Sequence, residues 1–239
     1  MHASSNPDSA YIRSTFDHLA TRYDIFNRLT SLGMDKSWRR KALESLKPGM
    51  RLLDLGCGTG DLSLAAVSKL NHSGEVVGLD FSENMLKIAQ ARYEKGGHLM
   101  NGRFKLVQKS AEELPLEAAP FDLVVSGFVL RNIYQNIDAI LQGVYSSLRP
   151  GGEISFLDFT EPPGLVRKTL WKIYMNTVVS FYGLVLFGKK FPLFYMTDSA
   201  ARFLKAPEFI EKLKQAGFVS VRAERSLMGI IVLYRGSKP

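Results

Sequence analysis

Cysteine is all but absent from this chain. Cys57 is the single one in 239 residues, so no intrachain disulfide can form, and a reducing, cytoplasmic setting is the expectation. Histidine is nearly as scarce, with four residues. No grouping of Cys, His and carboxylates has metal-ligand spacing, and no metal is expected. The first nine residues are polar and lack the apolar core of a secretory leader, so no targeting segment is expected. Internal repeats and low-complexity stretches are missing, and so are the Gly-Lys-Ser/Thr of a P-loop and a G-x-G-x-x-G pyrophosphate turn.

What remains is a composition able to fold. With 46% hydrophobic residues the chain can bury a full core, and one domain with a small elaboration is expected. The formal charge of +8 favours acidic surroundings, either nucleic acid or an anionic membrane face. Short runs rich in Val, Ile, Leu and Phe at 51–55, 75–80, 103–107, 121–126 and 153–158 read as buried parallel strands. Helical patterns lie between them at 62–70, 82–93 and 137–148, the last closed by Arg149-Pro150-Gly151-Gly152. Residues 218–225 and 229–234 read as a closing hairpin. Together these predict an α/β fold: a doubly wound, mostly parallel sheet of seven strands, with its ligand beyond the strands' carboxyl ends. The whole chain then divides into a helical lid (10–47), a cofactor-binding core (50–160), an apolar insertion (161–205) and a closing helix and hairpin (206–236).

The first strand runs directly into Gly56-Cys57-Gly58-Thr59-Gly60. Glycines there let the backbone bend sharply and come close to a ligand. Asp54 and Asp61 flank the turn, which disfavours phosphate and suits a cationic ligand. The second strand ends in Asp80, placed to accept both hydroxyls of a ribose, and Phe81 and Met85 follow where they can cover the faces of an adenine. Ribose, adenine and a positive centre describe S-adenosylmethionine. The plainer reading makes the glycines an ordinary βα turn and Asp80 the cap of the helix starting near Ser82.

Residues 173–188 carry no charge, and Trp171, Tyr174, Phe181, Tyr182, Phe187, Phe191, Phe194 and Tyr195 gather around them. The charge-free run is about 16 residues, short of the ~20 a spanning helix needs. It is expected to be a buried or interfacial helix. Two readings stay open: ordinary core, or the wall of an apolar substrate pocket near a membrane, with Arg167, Lys168, Lys172, Lys189 and Lys190 facing lipid headgroups.

Four segments carry a closer likeness: Phe16-Asp17-x-x-Ala20-x-x-Tyr23-Asp24-x-x-Asn27 with Ser31-x-Gly33 and Trp38-Arg39; the glycine loop from Asp54 to Leu62; Leu130-Arg131-Asn132; and Ala216-Gly217-Phe218 with Tyr234-Arg235-Gly236. On these the chain resembles the ubiquinone/menaquinone biosynthesis C-methyltransferases, a family of class I S-adenosylmethionine-dependent methyltransferases. The resemblance implies cofactor contacts at Thr59, Asp80, Ser110, Ala111 and Gly127. Ser110 stands where Asp or Asn is usual and Gly127 where Ser is usual. Tyr195-x-x-x-Ser199 resembles a further segment of the family, with Met196 and Ala200 departing from it.

The implied substrate is a polyprenyl quinol, methylated on a ring carbon once a neighbouring hydroxyl is deprotonated. A naphthoquinol is favoured, with a benzoquinol as the alternative. Arg131, too basic to act as a base itself, is expected to stabilise the phenolate or hold a water that accepts the proton. Asn132 would orient the ring hydroxyl, and Tyr23 or Asp24 would complete the relay. A structural reading instead pairs Arg131 with an acidic neighbour such as Asp24. His18 and Tyr195 are lesser catalytic candidates, and Cys57 reads as a small buried residue. A nucleic-acid methyltransferase is the competing class, but the fourth strand is not followed by an Asn-Pro-Pro-Tyr-type tetrad and no separate basic module is present, so no nucleic-acid partner is expected. A non-catalytic cofactor-binding partner of a quinone-pathway assembly is the third reading. No motif encodes tail length, or whether the chain works alone or as a homodimer.

Overall fold

The computed structural model describes residues 19–71, 73–96, 103–117, 120–193 and 195–239. Expectations that fell on Phe16, Asp17, His18, Phe194 and the side chains of Lys190 and Tyr195 lie outside the described residues.

The apolar runs become β1 (Arg51–Leu55), β2 (Glu75–Asp80), β3 (Arg103–Gln108), β4 (Phe121–Gly127) and β5 (Leu148–Phe159), and the closing hairpin becomes β6 (Val219–Ser226) and β7 (Ile231–Ser237). They form one seven-stranded sheet in the order β3-β2-β1-β4-β5-β7-β6. β1 to β5 pair in parallel, and β7 inserts antiparallel between β5 and β6. Every residue of β2 is buried, as a strand covered by helices on both faces requires. Side chains alternate between the two faces: Leu53, Leu55, Val77 and Leu79 join one core cluster, Leu52 and Val76 the other.

The helices in chain order are α1 (Tyr23–Thr30), α2 (Asp35–Ala42), α3 (Asp61–Leu70), α4 (Glu83–Lys95), α5 (Ile137–Ser147), α6 (Leu165–Tyr174), α7 (Ser180–Phe187), α8 (Tyr195–Arg202) and α9 (Ala206–Gln215). The chain leaves β1 toward β2 on one side and returns to β4 on the other. The carboxyl ends of β1 and β4 therefore bound the switch point, where an open α/β sheet holds its ligand.

Three expectations are corrected. β3 is an edge strand with Arg103 and Lys105 exposed, because it has a neighbour on one side only, and charge there discourages stray pairing. The helix ending near 148 stops at Ser147, and Pro150-Gly151-Gly152 fall within β5: Leu148 pairs with Phe121, the register slips, and pairing resumes at Glu153 opposite Leu123. Proline is admitted there because the ladder is already broken. Finally, α6 and α7 run through a π-helical turn at Met175–Val179 as one helix, Leu165–Phe187, whose 23 residues are long and apolar enough to cross a membrane by length and composition alone. Its inner face, Trp171, Met175 and Val179, packs with Leu19, Phe26, Phe191 and Ala200 in a third core cluster. The lid and the insertion thus share a core of their own. Tyr174 donates its hydroxyl proton to the Thr30 carbonyl (3.0 Å), and Arg22 reaches the Leu186 carbonyl (2.7 Å).

Candidate active site

After Leu55 the chain turns through Gly56, Gly58 and Gly60, all left-handed at φ 70°, 54° and 86°. At Gly56 a Cβ would also lie 2.5 Å from Val129 Cγ2, so glycine is required twice over. Asp80 anchors the turn: Oδ2 accepts the Gly58 N–H (2.8 Å) and Oδ1 the Ser82 N–H (2.9 Å). These bonds fix the carboxylate where it lines the cleft. The helix cap is Ser82, whose Oγ accepts the Met85 N–H (3.2 Å), and not Asp80. Phe81, Met85, Asp54, Thr59, Gly127 and Asn132 complete the cleft wall. Asp54 accepts the Ser63 hydroxyl (2.6 Å), and burial pushes its carboxyl up to about 6 despite that bond.

Ser110 and Ala111 do not reach this wall. They sit beside Asp80 at the sheet's carboxyl edge, where Lys109 N–H donates to the Asp80 carbonyl (3.2 Å). Ser110 bonds to the Glu112 side chain, and Ala111 joins the main core. Cys57 is buried, and burial raises its thiol pKa, which suits a packing residue.

The flanking carboxylates divide their roles. Asp61 is ion-paired with Arg92 (2.6 Å) and lies 3.7 Å from Arg39 Nε. Burial works to raise its pKa, but the two guanidiniums prevail and hold it below the usual range. The attraction for a cation therefore falls to Asp54 and Asp80. Asp24 accepts the Thr59 hydroxyl (2.5 Å) and pairs with Arg92 (2.8 Å), which also donates to the Thr59 carbonyl (2.9 Å). Asp24 is thereby a latch between α1 and the glycine loop. It lines neither cavity.

A second, apolar cavity of about 300 Å³ lies between lid and insertion, with Leu19, Phe26, Trp38, Trp171, Met175 and Phe191 in its wall. That volume is at the lower end for small-molecule sites, ~300–1,000 Å³. Tyr23, Arg39 and Phe128 belong to the walls of both cavities. Phe128 is left-handed (φ 67°), held by its N–H to the Leu157 carbonyl (2.7 Å) and stacked on Phe159 (4.7 Å between centroids). Backbone strain of this kind persists only where surroundings impose it. The Arg39 guanidinium lies 5.3 Å over the same ring.

Leu130–Asn132 form a 3₁₀ turn just beyond β4 that sends consecutive side chains to different chambers, Arg131 to the apolar one and Asn132 to the cleft. The carboxylate partner of Arg131 is Asp158 of β5, not Asp24. Arg131 Nη1 donates to Asp158 Oδ1 (2.7 Å) and the Phe128 carbonyl (2.7 Å), and its backbone N–H donates to Asp158 Oδ2 (3.1 Å). The guanidinium also lies 5.2 Å over the Phe159 ring. Tyr23 stands nearby with its pKa raised by burial, an effect opposed by Arg131 and Arg39.

Sequence reasoning missed Asp158, Arg39, Arg92 and Phe128. Asp158 had a signal, since it ends an apolar strand just as Asp80 does, and Arg39 had one in the Trp38-Arg39 pair of the family likeness, though no role was attached to it. Arg92 and Phe128 had none, because their roles come from approach across distant segments.

This sheet order, with a glycine loop after β1 and an acid closing β2, defines a class I S-adenosylmethionine-dependent methyltransferase. Solved structures share the fold: magnesium protoporphyrin IX methyltransferase of Synechocystis PCC 6803 with bound SAH (TM-score 0.65, 18% identity, 98% of this chain and 100% of that one) and a SAM-dependent methyltransferase of Thermotoga maritima (0.65, 19%, 95% and 100%). The chain belongs to the ubiE/COQ5 methyltransferase family, whose model matches residues 4–238. It is similar to the demethylmenaquinone methyltransferase of Desulfitobacterium hafniense (35% identical, covering 100% of this chain and 94% of the relative). It is likewise similar to that of Lactobacillus johnsonii (33%, 95% and 92%) and to the ubiquinone/menaquinone biosynthesis C-methyltransferase UbiE of Syntrophotalea carbinolica (35%, 95% and 93%). Its cofactor is S-adenosylmethionine, and the cleft fits that group: a Cβ at Gly58 would meet no atom within 4 Å, so the loop backbone borders open space beside the Asp80 carboxylate.

Proposed function

We propose that the protein methylates a ring carbon of a reduced polyprenyl quinone, most simply demethylmenaquinol to menaquinol, in the cytoplasm and in peripheral contact with a membrane. The relatives named for that reaction support it. The observation that carries it is the pair of chambers with a common wall at Tyr23, Arg39 and Phe128, one acidic and bordered by the glycine loop, the other apolar with a guanidinium in its wall.

S-adenosylmethionine supplies an electrophilic methyl group, which leaves its sulfur as the new C–C bond forms. The protein's task is to make the ring carbon nucleophilic. Arg131, fixed by Asp158 and the Phe128 carbonyl, presents a permanent positive charge toward the apolar chamber, where it stabilises the phenolate form of a ring hydroxyl. Tyr23, its proton retained because burial raises its pKa, serves as a hydrogen-bond donor at neutral pH. Asn132 orients the ring from the cleft side. The hydroxyl proton passes to water; after transfer, the proton displaced from the ring carbon leaves to water as well and the ring oxygen is reprotonated, which restores aromaticity with one proton released per methyl gained. Asp24 contributes through Thr59, holding the lid over the glycine loop. Thr59, Asp80, Phe81, Met85 and Gly127 bind the donor, while Ser110 and Ala111 stand behind the cleft wall.

Incubation with labelled donor and, separately, a reduced demethylnaphthoquinone, a reduced demethylbenzoquinone and an RNA pool tests this reading. Label is expected on the naphthoquinol first. Label on RNA alone would refute it. Arg131→Ala is expected to bind donor within about threefold of the parent while turnover falls ~10²-fold or more. Arg131→Lys, which preserves the charge beside Asp158, should recover part of that loss.

A further inference from the structure

The mouth of the apolar cavity is built in an unusual way. Leu32, Leu170, Leu227 and Met228 line the cavity and are also exposed, at 76%, 57%, 38% and 58%. Three of them, Leu32 (φ 51°), Leu227 (φ 49°) and Met228 (φ 56°), are left-handed, a conformation disfavoured for side chains of this type. They occupy two turns far apart in sequence, each continued by a glycine that is itself left-handed, Gly33 (φ 77°) and Gly229 (φ 94°), so the leucines and the methionine share a conformation that only the glycines adopt without cost. Large apolar side chains are thus held outward at the rim against both backbone preference and hydration.

The rim continues along the outer face of helix Leu165–Phe187. Val166, Leu170, Ile173, Phe181 and Leu184 recur at helical spacing and are exposed, at 73%, 57%, 54%, 62% and 44%. Across residues 162–197 there is no acidic side chain, and there are five basic ones. Lys168 is engaged by Glu161 (2.8 Å). Arg167, in the cavity wall, and Lys172 and Lys189 are exposed around the apolar stripe.

We propose that this rim and stripe form a docking face for an anionic lipid bilayer, with the apolar side chains in the acyl boundary and the cations among the headgroups. The cavity mouth then opens into the membrane, and a polyprenyl tail lies along Leu170, Leu227 and Met228 while the ring sits at Arg131. The identity of that tail rests on the quinol reading above, whereas the docking face does not. Charge complementarity selects the occupant. A second copy would bring the same basic, acid-free surface to a two-fold interface and be repelled, while anionic headgroups neutralise it. The arrangement is that of an interfacial helix: an apolar face with a cationic border.

Co-sedimentation tests it, using the full chain with vesicles of phosphatidylcholine containing 30% phosphatidylglycerol, and with pure phosphatidylcholine. Binding is expected to the anionic vesicles, to be at least tenfold weaker on the neutral ones, and to weaken with added salt. The double variant V166D/I173D changes two exposed residues that do not line the cavity. It should keep its thermal midpoint and its turnover of a soluble short-tailed quinol within twofold, while losing at least tenfold in vesicle binding and in turnover of a long-tailed quinol embedded in vesicles. Equal vesicle binding by parent and variant, or no binding by either, would overturn the docking face. So would a dimer seen by light scattering that V166D/I173D dissociates without any effect on lipid. If vesicle binding behaves as expected but no quinol is methylated, the docking face stands and the reaction assignment fails.

Discussion

At the scale of single residues, Asp54 is expected to link proton and donor binding. Its carboxyl is raised to about 6 in the folded protein, above the ordinary ~3.9 of an unfolded chain. A raised acid favours its protonated form, so folding is penalised by its charge above pH 6, and that penalty is relieved as pH falls through 6 toward 4. A bound sulfonium favours the ionised carboxylate and reverses this preference. Donor affinity is therefore expected to be flat above pH 6 and to weaken up to about tenfold per unit below it, as calorimetry would show. Asp54→Asn should flatten that profile and raise the thermal midpoint of the donor-free protein at pH 8. A midpoint lowered instead would mean that the Ser63 contact outweighs desolvation. Gly127 offers a second residue-level test. A Cβ there would approach Arg39 Nη1 at 3.2 Å, the far end of a flexible side chain, so Gly127→Ser is expected to cost less than ~1 kcal/mol in denaturant unfolding and to leave donor affinity equal or improved.

At the scale of elements, an ionic junction holds the lid over the glycine loop: Arg92 of α4 joins Asp24 of α1 and Asp61 of α3, and Arg39 of α2 approaches Asp61 from the lid side. The groups are partly exposed, so the junction adds about 1 kcal/mol or less to global stability. Its larger effect is on where the lid sits. Asp24→Asn removes the pairing with Arg92 while leaving an acceptor for the Thr59 hydroxyl. It is expected to shift denaturant unfolding by less than ~1 kcal/mol, to weaken donor binding severalfold, and to quicken proteolytic cleavage around α1. Unchanged cleavage and affinity would remove Asp24 from the latch. The helix Leu165–Phe187 shows the opposite economy. Its inner face is fixed in the core it shares with the lid, while its outer face is apolar with no protein against it among the described residues. A helix of that kind is stable in water only by packing one side, and its exposed side is available to lipid.

At the scale of the whole molecule, two chambers meet at the switch point of a parallel sheet, the acidic one floored by β1 and β2 and the apolar one roofed by decorations that precede and follow the core. A net charge of +8 gives the molecule a long-range attraction to an anionic membrane. Turnover of a vesicle-borne quinol is accordingly expected to fall as salt rises from 50 to 500 mM, with turnover of a short-tailed soluble quinol nearly constant. Parallel decline of both would place the salt effect on the catalytic site instead. The sheet was legible in the chain because its signals are local: β-branched runs, helix stops, and glycines where the backbone must turn left-handed. Asp80 was legible for the same reason, as an acid at the end of an apolar strand. What sequence alone determined is this set of short-range constraints, together with a likeness spanning residues 4–238 that fixes family and cofactor. Only the tertiary structure decided which charges pair. It gave Arg131 to Asp158, 27 positions away, and Asp24 to Arg92, 68 positions away, and so separated a charge in the wall of the apolar cavity from one that joins the lid to the glycine loop. Pairing over such separations depends on how strands and helices are placed in three dimensions, and the spacing of residues along the chain holds no record of it.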